Sequence, residues 1–373
     1  MARPNQPAMP LSSAGRARGH RAIATLVLLA FSLGGFAACA PYRQLPGPAI
    51  ANPRLSDDHL ILADGLQLPL RVWPPDGQPK AVVLALHGFN DYSNAFDDPG
   101  RFWARHGIIT YAYDQRGFGA AANPGLWAGT AAYVEDLRQA ARVLRERHPG
   151  LPFYLLGESM GGAVVMVAMA GDRPPATDGV ILVAPAVWGR DFMPFYQTIP
   201  LWFAAHTVPW MHLTGEGLEI RPSDNIAMLR KLSADPLVIK RTRVDAIHGL
   251  VNLMDAAQAA APALAARSLI LYGVKDEVVP DNPTFAMIKR LPEFEPPRHR
   301  LALYPKGYHM LLRDLQGETV MTDVLAWLQT PNRPLPSGDE KPIADHRAIA
   351  VAPGSRGDDR TRSTTPALVV ERP

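Results

Sequence analysis

Between residues 57 and 330, short unbroken apolar runs alternate with stretches in which apolar residues recur every three or four positions. Ala81–Leu86 is apolar throughout, the pattern of a strand buried on both faces. Ile108–Tyr113 and residues 153–156, 180–183, 268–272 and 301–304 read the same way. Over 130–148, Val134, Leu137, Ala141 and Leu144 fall on one face of a helix with Glu and Arg opposite; 160–169 and 323–328 also read as helices. Strands alternating with helices predict βαβ units, hence an α/β fold with a mostly parallel sheet and helices on both faces. Runs at 60–62 and 66–73 predict an antiparallel hairpin, and Pro69 would confine the second run to the sheet edge.

Residues 188–232 break this rhythm. They hold Trp188, Phe192, Phe195, Tyr196, Trp202, Phe203 and Trp210 among Pro194, Pro200 and Pro209. The stretch is too aromatic for a solvated loop and too irregular for another βα unit. It is expected to be a cap over the C-terminal edge of the sheet, with Trp188, Phe192, Phe195, Tyr196 and Trp202 as candidate substrate-binding residues; a buried helical pair is the plainer alternative.

Neither end of the chain fits the α/β pattern. Arg16, Arg18 and Arg21 precede an uncharged run from Ala22 that ends in Gly34-Gly35-Phe36-Ala37-Ala38-Cys39-Ala40. This is the layout of an export signal over 1–38. Cys39 sits where the signal ends, which resembles the lipobox of bacterial lipoproteins. That resemblance implies acylation of Cys39 and a membrane-anchored protein facing the periplasm, the outer membrane ahead of the inner. A conventional cleaved signal and an uncleaved inner-membrane anchor are the alternatives. Residues 39–56 are expected to be a tether. Residues 331–373 hold seven Pro and no aromatic residue, so they are expected to be disordered.

Charge and cysteine content narrow the function. The net charge of +3 rests on four Arg in residues 1–38, a segment with no acid; without them the remainder carries −1. That offers no electrostatic footprint for nucleic acid. A single Cys rules out an intrachain disulfide and a Cys-built zinc or iron–sulfur site. Asp114-Gln115-Arg116-Gly117-Phe118-Gly119 lacks the third Gly of a dinucleotide loop and reads as scaffold. No cofactor or metal is called for.

The candidate chemistry begins at Gly157-Glu158-Ser159-Met160-Gly161-Gly162, a G-x-S-x-G elbow between an apolar strand and an apolar helix. Gly157 and Gly161 are required where a strained turn leaves no room for Cβ atoms. Ser159 is the candidate nucleophile. Its hydroxyl needs a base, and the base needs a group that fixes its tautomer. Asp276 and Glu277 follow the strand at 268–272, and His309 follows the strand at 301–304, so acid and base share one sheet edge with Ser159. Of the other ten histidines, nine lie in the end segments, at helix ends, or away from strand ends. His87, in the loop after Ala81–Leu86, reads as a residue holding that loop. The oxyanion donors are expected to be the backbone N–H groups of Phe89 and Met160.

These residues resemble the monoacylglycerol lipase and lysophospholipase branch of the α/β-hydrolases. The resemblance covers about 57–329 and rests on His87-Gly88-Phe89, Asp114-Gln115-Arg116-Gly117, the Ser159 elbow, Asp276, Gly307-Tyr308-His309 and Leu232-Ser233-Ala234-Asp235-Pro236-Leu237. It implies a triad of Ser159, Asp276 and His309, choosing Asp276 over Glu277. It also implies a mobile apolar cap and ester substrates with a lipid-like acyl chain, monoacylglycerol or lysophospholipid. A small-ester carboxylesterase, a peptidase like the proline iminopeptidases and a non-enzymatic lipid-binding envelope lipoprotein are the competing readings. Related folds that use an Asp nucleophile are disfavoured by Ser159.

Overall fold

The structure, a computed structural model, describes residues 41–347 except Glu216 and Leu218. The proposed signal and Cys39 lie outside the described residues.

Ten strands form one sheet: β1 (Arg54–Leu55), β2 (His59–Ile61), β3 (Gln67–Trp73), β4 (Ala81–Leu86), β5 (Ile108–Tyr113), β6 (Phe153–Glu158), β7 (Gly179–Val183), β10 (Ser268–Gly273), β11 (His299–Tyr304) and β12 (Glu340–Lys341). Their order is β1-β2-β3-β5-β4-β6-β7-β10-β11-β12. The segment from β5 to β11 is parallel, and antiparallel strands close both margins. Every residue of β4, β5, β6, β7 and β10 is buried, as their largely apolar composition favours. The flanking helices are α1 (Asp97–Ala104), α2 (Thr130–Arg147), α3 (Met160–Ala170), α6 (Val244–Ala260), α7 (Asp281–Lys289), α8 (Gly317–Gln329) and α9 (Ile343–Arg347). Separate apolar clusters fill the two sides of the sheet. α3 is buried along most of its length, between the sheet, α2 and α6, so it carries no polar face.

The cap is inserted between β7 and α6. It comprises α4 (Phe195–Thr207), α5 (Ile226–Ala234) and an antiparallel pair, β8 (His212–Thr214) with β9 (Arg241–Arg243). It therefore ends near residue 243, later than the 232 expected, because β9 pairs back onto β8. Among the described residues no helix is long and apolar enough to cross a membrane.

Three expectations need correction. β3 is not an edge strand: it pairs with β2 through Gln67–Pro69 and with β5 through Leu70–Trp73. Pro69 sits where the pairing changes sides, and its carbonyl accepts from Asp114 N–H at 2.8 Å, so the missing donor breaks no continuous ladder. Residues 41–56 are not a free tether. Gln44 N–H donates to Trp127 O, Ile50 and Ala51 N–H to Ala63 O, and β1 pairs with β2. Finally, residues 331–347 belong to the fold. β12 covers the open edge of β11, Glu340 forks onto Arg300, and Leu335 is buried. Residues 348–373 lie outside the described residues.

Candidate active site

Parallel registration brings the ends of β4, β6, β7, β10 and β11 to one edge: Leu86 pairs with Gly157, Glu158 with Val183 and Gly273 with Tyr304. The loops leaving those strands carry the candidate residues.

Ser159 joins β6 to α3 with φ 52° and ψ −115°, a left-handed conformation that L-residues avoid at a cost of about 1–3 kcal/mol. The surroundings hold it there. Its N–H donates to Val183 O at 2.9 Å, and its carbonyl accepts from Ala163 and Ala186 N–H at 3.1 and 2.9 Å. A Cβ at Gly157 would lie 2.4 Å from the Gly161 carbonyl, and one at Gly161 would lie 2.2 Å from Leu86 O. Neither position accepts any residue but glycine.

His309 and Asp276 meet across two loops. His309 Nδ1 lies 2.8 Å from Asp276 Oδ2, and Oδ1 of the same carboxylate accepts Val278 and Val279 N–H at 2.8 and 2.9 Å. The anion is thus satisfied on both oxygens and fixes Nδ1–H on the ring, leaving Nε2 as its basic nitrogen. The loops themselves are locked together: Lys275 N–H donates to Gly307 O, and a Cβ at Gly273 would sit 2.3 Å from Tyr308 O. Burial works against the imidazolium of His309, but Asp276 and then Glu158 outweigh it and hold its pKa above that of free imidazole. Glu277, the neighbouring acid, turns away and accepts Arg221 N–H from the cap.

Beside Ser159 runs the loop His87–Asp91. A Cβ at Gly88 would be 3.4 Å from Ser159 Cβ and 3.9 Å from its Oγ, so the backbone entering Phe89 passes beside the nucleophile. Met160 N–H is the first amide of α3, unpaired within the helix and at its positive end. The fully buried His87 donates from Nδ1 to Gly88 O at 2.8 Å and accepts Gln115 N–H on Nε2 at 3.0 Å. Both nitrogens are engaged in a neutral ring, and burial lowers its pKa further, so it holds the loop. Arg116 forks onto Asp136 and reaches Asp64 at 2.7 Å, which makes Asp114–Gly119 scaffold rather than a ligand loop.

The cap residues divide. Trp188 packs on the core with Nε1–H donating to Phe192 O, and Phe192 is half-buried. Phe195, Tyr196 and Trp202 are 73%, 63% and 51% exposed. Together with Ile199 and Phe203, they form a solvent-exposed apolar stripe on α4. The reason is that α4 turns its small residue, Ala205, toward the body of the protein. The cap still touches the site: Ile239 N–H donates to Asn90 O, Tyr92 Oη–H to Asp235, and Met310 N–H to Pro222 O.

Sequence reasoning missed the buried ion cluster behind Ser159. Arg313 lies 2.8 Å from Asp91 Oδ2 and 3.3 Å from Glu158 Oε2, all three side chains being less than 10% exposed. A usable signal was present: Glu158 ends an otherwise apolar buried strand, and a charge there demands a partner. Among the described residues no His, Cys, Asp and Glu group could hold a metal.

A nucleophile elbow, a carboxylate-oriented histidine and a donor loop on one edge of a parallel sheet define a serine α/β-hydrolase. The chain belongs to the family described as serine aminopeptidase, S33, whose model matches residues 77–316. It is 26% identical over 299 residues to human monoglyceride lipase, covering 77% of this chain and 91% of that protein. It is 26% identical over 276 residues to the monoacylglycerol lipase of Mycolicibacterium smegmatis, covering 71% and 93%. In fold it is similar to a soluble variant of Saccharomyces cerevisiae monoglyceride lipase in complex with a substrate analog, with a TM-score of 0.63, 21% identity, and coverage of 79% and 99%.

Proposed function

We propose that this protein hydrolyses carboxylic esters of lipid-like substrates, monoacylglycerols or lysophospholipids, through an acyl-enzyme on Ser159. The observation that carries the mechanism is the Asp276–His309 pair, which holds the proton on Nδ1 and leaves Nε2 as the basic nitrogen of the ring. In this reading His309 takes the Ser159 proton as Oγ attacks the ester carbonyl. Phe89 and Met160 N–H receive the oxyanion, and His309 returns the proton to the departing alcohol. A water activated by the same imidazole then releases the acid.

The lipid-like substrate is supported by two observations. The relatives named above are monoacylglycerol lipases that this chain matches over most of their length, and α4 exposes an apolar stripe where lipid would be met. The family description favours a second reading, an aminopeptidase, which needs cap acids free to bind an α-ammonium group. Asp224 is occupied by Leu315 N–H, and Asp191 and Glu219 are exposed. An ester panel from acetyl to medium-chain acyl groups, run beside aminoacyl amides, tests the assignment. Rates rising with acyl length are expected. A maximum at acetyl overturns the lipid reading, and selective turnover of the amides establishes the peptidase.

We also propose that Cys39 is acylated and anchors the enzyme in the cell envelope, the membrane its partner. Mass spectrometry of the exported protein should find a diacylated N-terminal Cys39; an unmodified Cys39 in an intact N-terminus overturns this.

A further inference from the structure

We infer that Arg313 is a positioning residue. Its buried guanidinium ties the His309 loop to the nucleophile elbow through Glu158 and to the donor loop through Asp91, and so sets the spacing of base, nucleophile and oxyanion donor. The inference rests on the hydrolase reading of the site.

Each partner of Arg313 adjoins a different working atom. Glu158 immediately precedes Ser159, Asp91 lies two residues beyond Phe89, and Arg313 itself is four residues after His309. The contacts are 2.8 Å to Asp91 Oδ2 and 3.3 Å to Glu158 Oε2. Asp91 also fixes its own loop, its Oδ1 accepting Tyr92 N–H at 2.8 Å. The Arg313 carbonyl accepts Asn225 Nδ2–H from the cap at 2.9 Å, so the hub is held from the far side as well. An apolar trio would fill this space without the desolvation cost of three buried charges. What it would lack is a planar guanidinium presenting separate nitrogens to two carboxylates, which Lys also lacks.

The charges reach His309 too. The groups bearing on it are Asp276 from the loop after β10, Glu158 from β6 and Arg313 from its own loop. Asp276 and Glu158 favour the imidazolium; Arg313 opposes it. Shape and charge can therefore be separated by substitution.

The test uses the full chain and a soluble ester, with kcat and KM followed across the range in which imidazole titrates. Arg313→Lys keeps the charge and loses the planar guanidinium. Its kcat should fall about tenfold or more, with KM within about twofold and the acid limb unmoved. Glu158→Gln should move that limb to lower pH. The triple variant Arg313→Met, Glu158→Gln, Asp91→Asn leaves no buried charge unpaired, so it should fold, yet show the same loss in kcat. A folded triple variant with wild-type kcat and KM overturns the proposal, since the cluster would then serve stability alone. Should the triple variant not fold, Arg313→Lys decides: wild-type kcat overturns, and the tenfold loss supports. If the wild type turns over no ester but labels with a fluorophosphonate, the substrate reading fails. The rate of Ser159 labelling then serves as the readout for Arg313 in place of kcat.

Discussion

Asp276 grips His309 Nδ1 at 2.8 Å with one carboxylate oxygen while its other oxygen accepts two backbone N–H groups of its own loop. The carboxylate is thereby immobilised as well as charged, and it sets both the tautomer and the direction of the ring. Asp276→Asn should retain the fold and lower kcat about ten-thousandfold, because the amide can stabilise the opposite tautomer. Glu277→Gln, whose side chain accepts the Arg221 N–H from the cap, should leave kcat within about threefold. Equal losses in the two variants, measured on one soluble ester, would contradict this assignment.

Ser159→Ala should abolish fluorophosphonate labelling and lower turnover to the residue left by the oxyanion donors. Because Ser159 holds a left-handed φ of 52°, Ser159→Gly should melt at or above Ser159→Ala. Thermal unfolding of the two inactive variants compares the strain directly.

Gly161→Ala places a methyl 2.2 Å from Leu86 O, backbone that cannot yield without moving β4. A loss of about 3 kcal/mol or more is expected, or no folded protein at all. A denaturant midpoint close to wild type would mean that the elbow is looser than its geometry.

The acid limb of kcat/KM should lie above pH 6.5, because the folded His309 binds its proton more tightly than free imidazole does and must lose it to act as base. Asp276→Asn should move that limb down. The same shift bears on stability. A raised histidine stabilises the native state fully below its unfolded pKa of about 6.5, and that contribution fades as pH rises through the folded value.

His299 works in the other direction. Burial, then Arg298, lowers its pKa to about 4 while Ser268 Oγ lies 2.7 Å from Nδ1. Between about pH 6.5 and 4 the unfolded chain takes up a proton that the native state refuses, so stability falls as pH falls, by roughly 3 kcal/mol in full. Melting temperatures across that range should show a slope that His299→Gln reduces. His248, also near 4 and half-exposed, keeps the slope from vanishing.

Ile199→Ser with Phe203→Ser removes two apolar groups that face solvent on α4, 51% and 57% exposed. Turnover of a soluble ester should be unchanged, and turnover of vesicle-embedded monoacylglycerol should fall severalfold. Equal activity on both would separate the stripe from lipid access.

The elements that could be read early are those in which composition alone forces burial. Five largely apolar strands stack as a parallel sheet under helices, and the periodicity of 130–148 is that of a helix with one buried face. The corrected segments lack that forcing. Residues 41–56 and 331–347 are polar and proline-rich, and they are ordered by backbone pairing to edges that exist only once the sheet has formed. The orientation of α4 was equally hidden, because an aromatic stripe reads alike whether it faces a pocket or solvent.

By itself the chain determined its class, its elbow and its candidate acid and base, because strand-end placement and glycine spacing are local properties carried by adjacent residues. Only the tertiary structure decided that the second oxygen of Asp276 is held by Val278 and Val279, that the helix Phe195–Thr207 leaves its aromatics exposed, and that Arg313 stands between Asp91 and Glu158. Those outcomes depend on which side chains from distant loops converge when parallel strands register, and no spacing along one chain encodes that distance.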